Sequence, residues 1–252
     1  MLQYTCSGDG HLKPICRVGP DTINLSDESG GDYIPPLFML LGDTMEQIPF
    51  VERVCQSIID NASVFAETFL KYDYLVCSQA FATKYHIITA NERNYLHLTG
   101  VHTSMKPNDF FNKALSGKLV PADFDFIKPH VSEQSVKGSV REKIIALPQI
   151  DGFFSQDLYA TEGFMQNRMV GTFSTADASN FVTLGFVQNG NPMSLLKGNK
   201  LKGNNIRNVD LVFQRDKNSD SSLFSTITYG KSEAISSYFS VIGSFLCDEL
   251  RP

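Results

Sequence analysis

The sequence predicts an α+β protein, a class in which helices and strands gather in different parts of the chain. Helical patterns are concentrated before residue 150, whereas from residue 151 onward apolar runs of strand length are separated by clusters of Gly, Asn, Asp and Ser. The chain has no internal repeat and lacks the regular alternation of strands and helices that a parallel βαβ sheet requires. These observations favour α+β over a parallel βαβ sheet.

The composition is that of a chain that folds. It has 252 residues, of which 42% are hydrophobic, 19% are charged and 19 are phenylalanines. This apolar content can offset the entropy lost on ordering the chain, so wholesale disorder is not expected. The length lies between one large domain and two small ones. We expect an acidic N-terminal arm with an amphipathic helix over residues 1–70 and a main domain over residues 71–252, or one continuous globule.

Charge is distributed unevenly along the chain. Residues 1–70 carry three basic and ten acidic side chains, a net charge of −7, whereas residues 71–252 carry nineteen basic and seventeen acidic ones, a net charge of +2. A basic stretch between residues 190 and 231 is either a local anion-binding face or a solvated surface. Its cationic side chains are Lys197, Lys200, Lys202, Arg207, Arg215, Lys217 and Lys231.

The first elements follow in a clear order. Residues 1–36 are rich in Gly, Pro, Asp and Ser, which predicts an irregular arm. A capping box at residues 43–46 precedes apolar residues at helical spacing, which predicts an amphipathic helix at about residues 44–71. Two strands are predicted next, from Tyr72 to Cys77 and from Thr83 to Thr89.

Two further helices are predicted before residue 150. Pro107 suits the first turn of one helix and Gly117 suits its C-terminal end. The other helix is expected over residues 132–147 and is stopped by Pro148.

The last hundred residues predict strands and a closing helix. The last two strands are expected to pair as a hairpin across residues 216–220. A helix over residues 232–250 would bury an apolar stripe in the core. The predicted strands are Phe153–Phe164, Met169–Ser174, Phe181–Gln188, Val209–Arg215 and Leu223–Tyr229. The stripe consists of Ile235, Tyr238, Phe239, Ile242 and Phe245.

The five cysteines predict reduced thiols, because they are odd in number and form no CxxC pair. Cys6, His11 and Cys16 are close in sequence, but their spacing matches no zinc pattern. A nucleophilic pair of Cys77 and His86 is one of many that five Cys and five His allow. We therefore expect no metal and no cofactor.

The sequence offers no sign of a membrane or secretory destination. A membrane span requires roughly 18 consecutive apolar residues, and the longest candidate, Pro35 to Leu41, is far shorter. The N-terminus lacks a basic region followed by an apolar one. We expect a cytoplasmic protein.

The segment Arg93–Val101 is the main candidate for chemistry. Its alternation of polar and apolar residues after the turn Asn91-Glu92 predicts a strand. Same-face neighbours in a strand are about 6.6 to 6.8 Å apart, so a cation, a proton-transfer group and a hydroxyl could address one phosphodiester. An ordinary half-buried strand shows the same alternation, so the pattern alone leaves a site and simple packing both open. The polar side chains that would share one face are Arg93, Tyr95, His97 and Thr99.

A block that begins with this segment resembles a known family. It comprises Arg93-Asn94-Tyr95-Leu96-His97-Leu98-Thr99-Gly100-Val101, then Phe110-Phe111 in a short helix, then Gly117-Lys118-Leu119. The block resembles the core motif of the PBECR nuclease-like domains, in particular the fourth type. These domains are phage-associated relatives of the barnase, EndoU, colicin and RelE ribonucleases. A looser similarity runs from about Tyr72 to Lys231.

The resemblance implies a curved antiparallel sheet with helices packed on one side, and metal-independent cleavage of RNA. It carries a catalytic role to His97 and Thr99, and less directly to Arg93. In such a reaction a base removes the 2′-hydroxyl proton, that oxygen attacks the phosphorus, and an acid protonates the departing 5′-oxygen. Histidine titrates near neutral pH and suits proton transfer. A guanidinium can stabilise the phosphoryl charge, and a threonine hydroxyl can add a hydrogen bond.

Five further side chains are candidates for substrate binding. Tyr95 would stack on a base or simply pack in the core. The other four would contact phosphate or stand as ordinary exposed polar side chains. They are His102, Lys106, Lys84 and Lys231.

Two functions of different classes follow. The first is a ribonuclease, acting as a toxin or a phage or mobile-element defence effector on RNA, with tRNA among the targets and an antitoxin or host protein as a partner. The second is a non-enzymatic interaction protein that binds a host partner through its acidic N-terminal region. The two combine if the acidic segment covers a basic cleft and holds a toxin inactive.

Overall fold

The structure of the protein is a computed structural model that describes residues 48–166 and 169–252. The described residues form one compact unit. The predicted arm at residues 1–36, the capping box and the set of Cys6, His11 and Cys16 lie outside the described residues. Within the described ranges, no helix is long and apolar enough to cross a membrane.

The predicted first helix is confirmed from Phe50 onward, but it is interrupted. It consists of α1 (Phe50–Asp60), α2 (Ala62–Phe65) and a π-helical turn (Ala66–Leu70). The break lies at Asn61, whose backbone leaves the helical region (φ −98°, ψ 0°). Its side-chain amide donates to the carbonyl of Ser57 (2.8 Å), a local bond that competes with the regular helical pattern.

Three more α-helices precede residue 150 in the described part of the chain. The starts predicted for α4 and α5 are confirmed, because Pro107 opens α4 and the Ser132 hydroxyl accepts a hydrogen bond from Ser135 N at the start of α5. Gly117 follows α4 in the left-handed region (φ +69°). The helices are α3 (Arg93–Thr99), α4 (Pro107–Leu115) and α5 (Glu133–Ala146).

The strands form one antiparallel sheet. Its order is β2-β1-β7-β3-β4-β5-β6. The strand β8 pairs with the part of β7 that β3 does not contact. All the pairings between these strands are antiparallel. The strands are β1 (Tyr72–Ser78), β2 (Tyr85–Ile88), β3 (Leu158–Gln166), β4 (Met169–Asp177), β5 (Val182–Phe186), β6 (Pro192–Lys197), β7 (Arg207–Asp216) and β8 (Thr226–Tyr229).

Most predicted strands are confirmed near their predicted bounds, including the β7–β8 hairpin. The strand β6 was not predicted. It begins at Pro192 at the edge of the sheet, where a proline is tolerated. The prediction of a single closing helix over residues 232–250 is wrong. Short turns stand in its place, with α6 limited to Phe239–Ile242.

The core lies on both faces of the sheet. Along β1, alternate side chains enter different clusters, with Tyr74 and Val76 facing the long helices and Leu75 and Cys77 facing the C-terminal turns. On the helical side Phe65 packs against Tyr95 (ring centroids 5.0 Å apart). Residues 50–70 therefore share one core with the chain that follows residue 71.

The sheet curls so that its edge strand β2 meets the hairpin of β5 and β6. Thr89 N, just after β2, donates to the carbonyl of Gly190 in the β5–β6 turn (3.3 Å). Gly190 has a positive φ (+79°), and a Cβ there would lie 2.0 Å from the carbonyl oxygen of Ile87. Only glycine fits this approach. The predicted fold class, a curved antiparallel sheet with helices, is confirmed.

The prediction that Arg93–Val101 is a strand is wrong, because Arg93–Thr99 form the helix α3. The turn Asn91-Glu92 starts a helix, with Asn94 Oδ1 accepting from Asn91 N (2.9 Å). The helix ends at Gly100 in the left-handed region (φ +77°). Its buried residues recur at helical spacing, and they are Asn94, Tyr95, Leu98 and Thr99.

Candidate functional site

The C-terminal end of α3 borders a large cleft in the described part of the protein. Its volume is about 870 Å³. Its walls come from α3, α5, β6 and the segments 100–103 and 128–131. The lining residues are Leu96, His97, Gly100, Val101, His102, Thr103, Lys128, His130, Val131, Ser135, Val136, Ser139, Lys143, Met193, Ser194 and Leu196.

The polar lining of this cleft is basic or neutral. It contains three histidines and two lysines, and no Asp or Glu is among the described residues that line it. The cationic and titratable side chains are His97, His102, His130, Lys128 and Lys143. A concave wall of this kind attracts anions, because charges of one sign focus the field into the opening.

His97 lies in the last turn of α3 and is exposed at the cleft. The surrounding protein lowers the pKa of His97 below its ordinary value through desolvation, and the charges of Lys143 and Lys128 lower it further. At neutral pH its imidazole is therefore largely uncharged and can accept a proton.

The helical geometry of α3 separates the four side chains that a strand would have aligned. Arg93 and His97 are four residues apart, so they lie on one exposed helix face, about 6 Å apart along the axis. Tyr95 and Thr99 point into the core, where each is fully buried. The prediction that all four side chains share one face is therefore wrong.

Because Tyr95 and Thr99 are buried, the contacts with substrate predicted for their side chains do not fit the structure. The Tyr95 hydroxyl donates to the carbonyl of Ile58, so its packing alternative holds. The Thr99 hydroxyl donates to the carbonyl of Leu96 (2.8 Å), as helical threonines do. With the side chain inside the core, no phosphate can reach this hydroxyl.

The predicted lysine contacts do not line the cleft. Lys106 is exposed just before α4. Lys231 lines a separate depression with Gln79, and Lys84 donates to the side chain of Gln79. Among the five predicted binding residues, only His102 lies in the cleft.

The basic stretch at residues 190–231 does not act as one face. Arg215 and Lys217 are bound to the buried carboxylate of Asp73, at 2.7 and 3.4 Å. Lys217 also donates to the carbonyls of Phe69 and Ala90. These two cations therefore secure the β1–β7 pair and are not free for a ligand.

Lys143 is the least expected member of the cleft. It is 8% exposed, and its ammonium donates to the carbonyls of His97 (3.2 Å), Leu98 (3.5 Å) and Leu195 (3.1 Å). These bonds satisfy carbonyls at the end of α3 and tie that end to β6. Desolvation, with the charge of Lys128, lowers the pKa of Lys143 to about 8.

Lys143 was not among the predicted site residues, although the sequence pattern of α5 contains a signal for it. Lys143 follows Val136 and Val140 on the buried face of α5 at helical spacing. A lysine in an apolar stripe is costly unless its ammonium finds partners. Lys128 and His130 carry no comparable signal, because they lie in a loop far from α3 in the sequence.

Lys128 closes the cleft beside the α3 terminus. Its ammonium donates to the carbonyl of Gly100 (2.8 Å). Gly100 itself packs against the stem of Lys143, where a Cβ would lie 2.5 Å from Cδ. The turn after His97 is therefore contacted by two lysines, Lys128 from a loop and Lys143 from α5.

Replacing Lys128 by Gln is expected to raise the pKa of His97. The amide can still donate to the carbonyl of Gly100, but the positive charge that disfavours the imidazolium is removed. The pKa can be followed from the His97 ring signals in an NMR titration. Lys137→Gln on the exposed side of α5 is the matched control. An unchanged or lower pKa in Lys128→Gln would contradict this electrostatic account.

The Cys77 and His86 pair does not form a nucleophilic site. Cys77 is fully buried, and burial raises the pKa of its thiol. Its side chain enters the cluster on the C-terminal side of the sheet. The ring of His86 stacks instead on Phe173 (4.0 Å), with Nε2 3.3 Å from Glu162 Oε1.

The part of the chain that contains the cleft matches a known family. The family model described as PBECR4: phage-Barnase-EndoU-ColicinE5/D-RelE like nuclease4 matches residues 57–242. No curated protein and no solved structure matches the chain. The matched range contains every residue that lines the cleft.

Proposed function

The chain belongs to the PBECR4 family of phage-Barnase-EndoU-ColicinE5/D-RelE like nucleases, and on this premise we propose that it cleaves RNA at the cleft beside His97. The family implies a nuclease. The choice of RNA, the chemistry and the biological role are our proposal. The observation that carries it is the position of an exposed, largely neutral imidazole in a cleft whose charged lining is cationic.

The cleft suits a phosphodiester because both binding and chemistry have candidate groups there. Lys128 and Lys143 favour an anion in the opening, and Ser135, Ser139 and Ser194 add neutral hydrogen-bonding side chains. Arg93, one helical turn from His97, can reach a neighbouring phosphate of the same strand. Arg93 is thus retained as an anion binder, outside the cleft lining.

His97 supports transesterification at the 2′-hydroxyl. Its uncharged imidazole would take the 2′-hydroxyl proton as that oxygen attacks the adjacent phosphorus. The negative charge that develops on the phosphoryl oxygens would be stabilised by the cations of the cleft. This route draws on side chains alone, so we propose that the reaction is metal-independent.

We place this activity in a toxin or a phage or mobile-element defence effector that acts on cytoplasmic RNA, with tRNA among its targets. An antitoxin or another host protein is the partner that such a role calls for. The acidic N-terminal region, with a net charge of −7 over residues 1–70, is the segment through which a partner would bind.

The proposal is tested by cleavage of single-stranded RNA, tRNA and DNA of matched sequence in EDTA. We expect RNA to be cut to products with 2′,3′-cyclic phosphate and 5′-hydroxyl ends, and DNA to stay intact because it lacks the attacking 2′-hydroxyl. An RNA with one 2′-deoxy nucleotide at the cut position is the matched substrate control. Cleavage of that position, or of DNA, would contradict the transesterification.

A protein that cleaves no RNA in EDTA or with Mg²⁺ would favour the second candidate, a non-enzymatic interaction protein. Its test is a pull-down with the full chain and with a variant in which the acidic residues before residue 47 are neutralised. Capture lost only in the neutralised variant would support binding through that region.

A further inference from the structure

His102 and Asp125 are joined twice, through their backbones and through their side chains. His102 N donates to the carbonyl of Asp125 (3.0 Å), and Asp125 N donates to the carbonyl of His102 (2.8 Å). Their side chains meet at 3.0 Å between Nδ1 and Oδ1. Asp125 Oδ1 also accepts from Ile127 N (2.8 Å), so the carboxylate is held from two sides. Both side chains are about half exposed, and His102 lines the cleft beside His97.

This contact determines which edge of the His102 ring faces a ligand. A carboxylate only accepts hydrogen bonds, so the proton between the two groups lies on Nδ1. Nε2, on the opposite edge of the ring, is left for a molecule in the cleft. A carboxylate in this position fixes the tautomer and the orientation of an imidazole.

The proposed reaction requires a second proton-transfer group, because the departing 5′-oxygen must gain a proton as the 2′-hydroxyl loses one. We propose that His102 is this group, acting as the general acid toward the 5′-oxygen, and that Asp125 is its positioning residue. The inference rests on the proposed function and assigns the half of the reaction that His97 does not perform.

The step balances with two histidines. His97 takes the proton of the 2′-hydroxyl, and the 2′-oxygen forms a bond to phosphorus. His102 enters the reaction as the imidazolium, with protons on both ring nitrogens. The bond between phosphorus and the 5′-oxygen breaks, and that oxygen takes the Nε2 proton of His102. The products are a 2′,3′-cyclic phosphate and a 5′-hydroxyl. The enzyme is left with a protonated His97 and a neutral His102, and proton exchange with water restores both.

The surroundings of the two histidines favour this division of roles. Lys143 from α5 and Lys128 lie near enough to His97 to disfavour its charged form. His102 has the only carboxylate contact made by a histidine of the cleft within the described residues. His130 is the remaining titratable group of the lining, and it has no side-chain ion pair among the described contacts.

The test compares substrates with poor and good leaving groups. One is a mixed-sequence single-stranded RNA, whose 5′-oxygen needs protonation. The others are the 4-nitrophenyl esters of the four nucleoside 3′-phosphates, whose nitrophenolate leaves without it. We expect His102→Ala to lose about 10²-fold or more in kcat/KM on RNA and only a few-fold on the nitrophenyl esters. His97→Ala, which lacks the base, should lose activity on both.

Asp125→Asn supplies the second variant. Its amide oxygen can still accept from His102 Nδ1 and Ile127 N, so the loop is retained while the carboxylate charge is removed. We expect a smaller loss than for His102→Ala with the same dependence on the leaving group, which a purely structural defect would not produce.

Three outcomes would overturn the inference. Equal losses of His102→Ala on RNA and nitrophenyl esters would remove His102 as the acid. Wild-type activity of His102→Ala on RNA, beside an impaired His97→Ala, would overturn the inference while leaving the proposed function in place. A wild-type protein that cleaves neither substrate would overturn the proposed function and this inference with it.

Discussion

Replacing His97 by alanine is expected to lower kcat/KM for RNA cleavage by about 10²- to 10⁴-fold, the usual contribution of a positioned acid or base. The imidazole is exposed at the cleft, and only the backbone carbonyl of this residue is bonded to Lys143. The substitution therefore removes the proton acceptor and leaves the supports of α3 in place. Cleavage is measured on single-stranded RNA in EDTA, with thermal unfolding as the check on folding.

His130→Asn is the matched control for this experiment. His130 lines the same cleft, is exposed, and has a positive φ (+61°), which asparagine tolerates better than alanine does. We expect a loss of only a few-fold, because this position carries no proposed proton transfer. If His97→Ala cleaves RNA as well as the wild type does, His97 is not a catalytic residue.

Replacing Gly190 by alanine is expected to cost about 4 kcal/mol of stability or more, among the largest effects of a single substitution. The new Cβ would lie 2.0 Å from the carbonyl oxygen of Ile87 and 3.2 Å from the Cα of Ile88. These are backbone atoms of β2 and cannot rotate away. The β5–β6 turn would have to retreat from β2, which opens the curl of the sheet.

Gly152→Ala separates this clash from backbone strain. Gly152 has a similar φ (+61°), but a Cβ there meets nothing within 4 Å. We expect this control to lose only about 1–2 kcal/mol, the cost of a left-handed residue with a side chain. Both losses are to be measured by urea unfolding of the full chain. Equal losses of unfolding free energy in the two variants would mean that the close approach of the β5–β6 turn to β2 adds nothing to the cost of a side chain at residue 190.

Local periodicity was enough to predict most of the secondary structure. The strand β1, the proline that opens α4 and the serine that caps α5 each depend on neighbours within a few residues. The same information failed for α3, because seven residues of alternating polarity fit a strand or a short helix equally well. Its buried side chains are selected by partners elsewhere in the chain, such as Ile58 and Phe65 for Tyr95.

Composition and motifs were sufficient to predict the α+β class, the resemblance to a nuclease family and His97 as a candidate site residue. All of these depend on composition, on spacing, or on a motif that is contiguous in the chain. The groups that surround His97 could be identified only once the chain was folded. Lys128, His130 and Lys143 reach the cleft from a loop and a helix that follow α3 by many residues, and Asp125 reaches His102 in the same way. Burial and charge are properties of that assembled neighbourhood, so no local pattern could separate the exposed His97 from the buried Thr99 beside it.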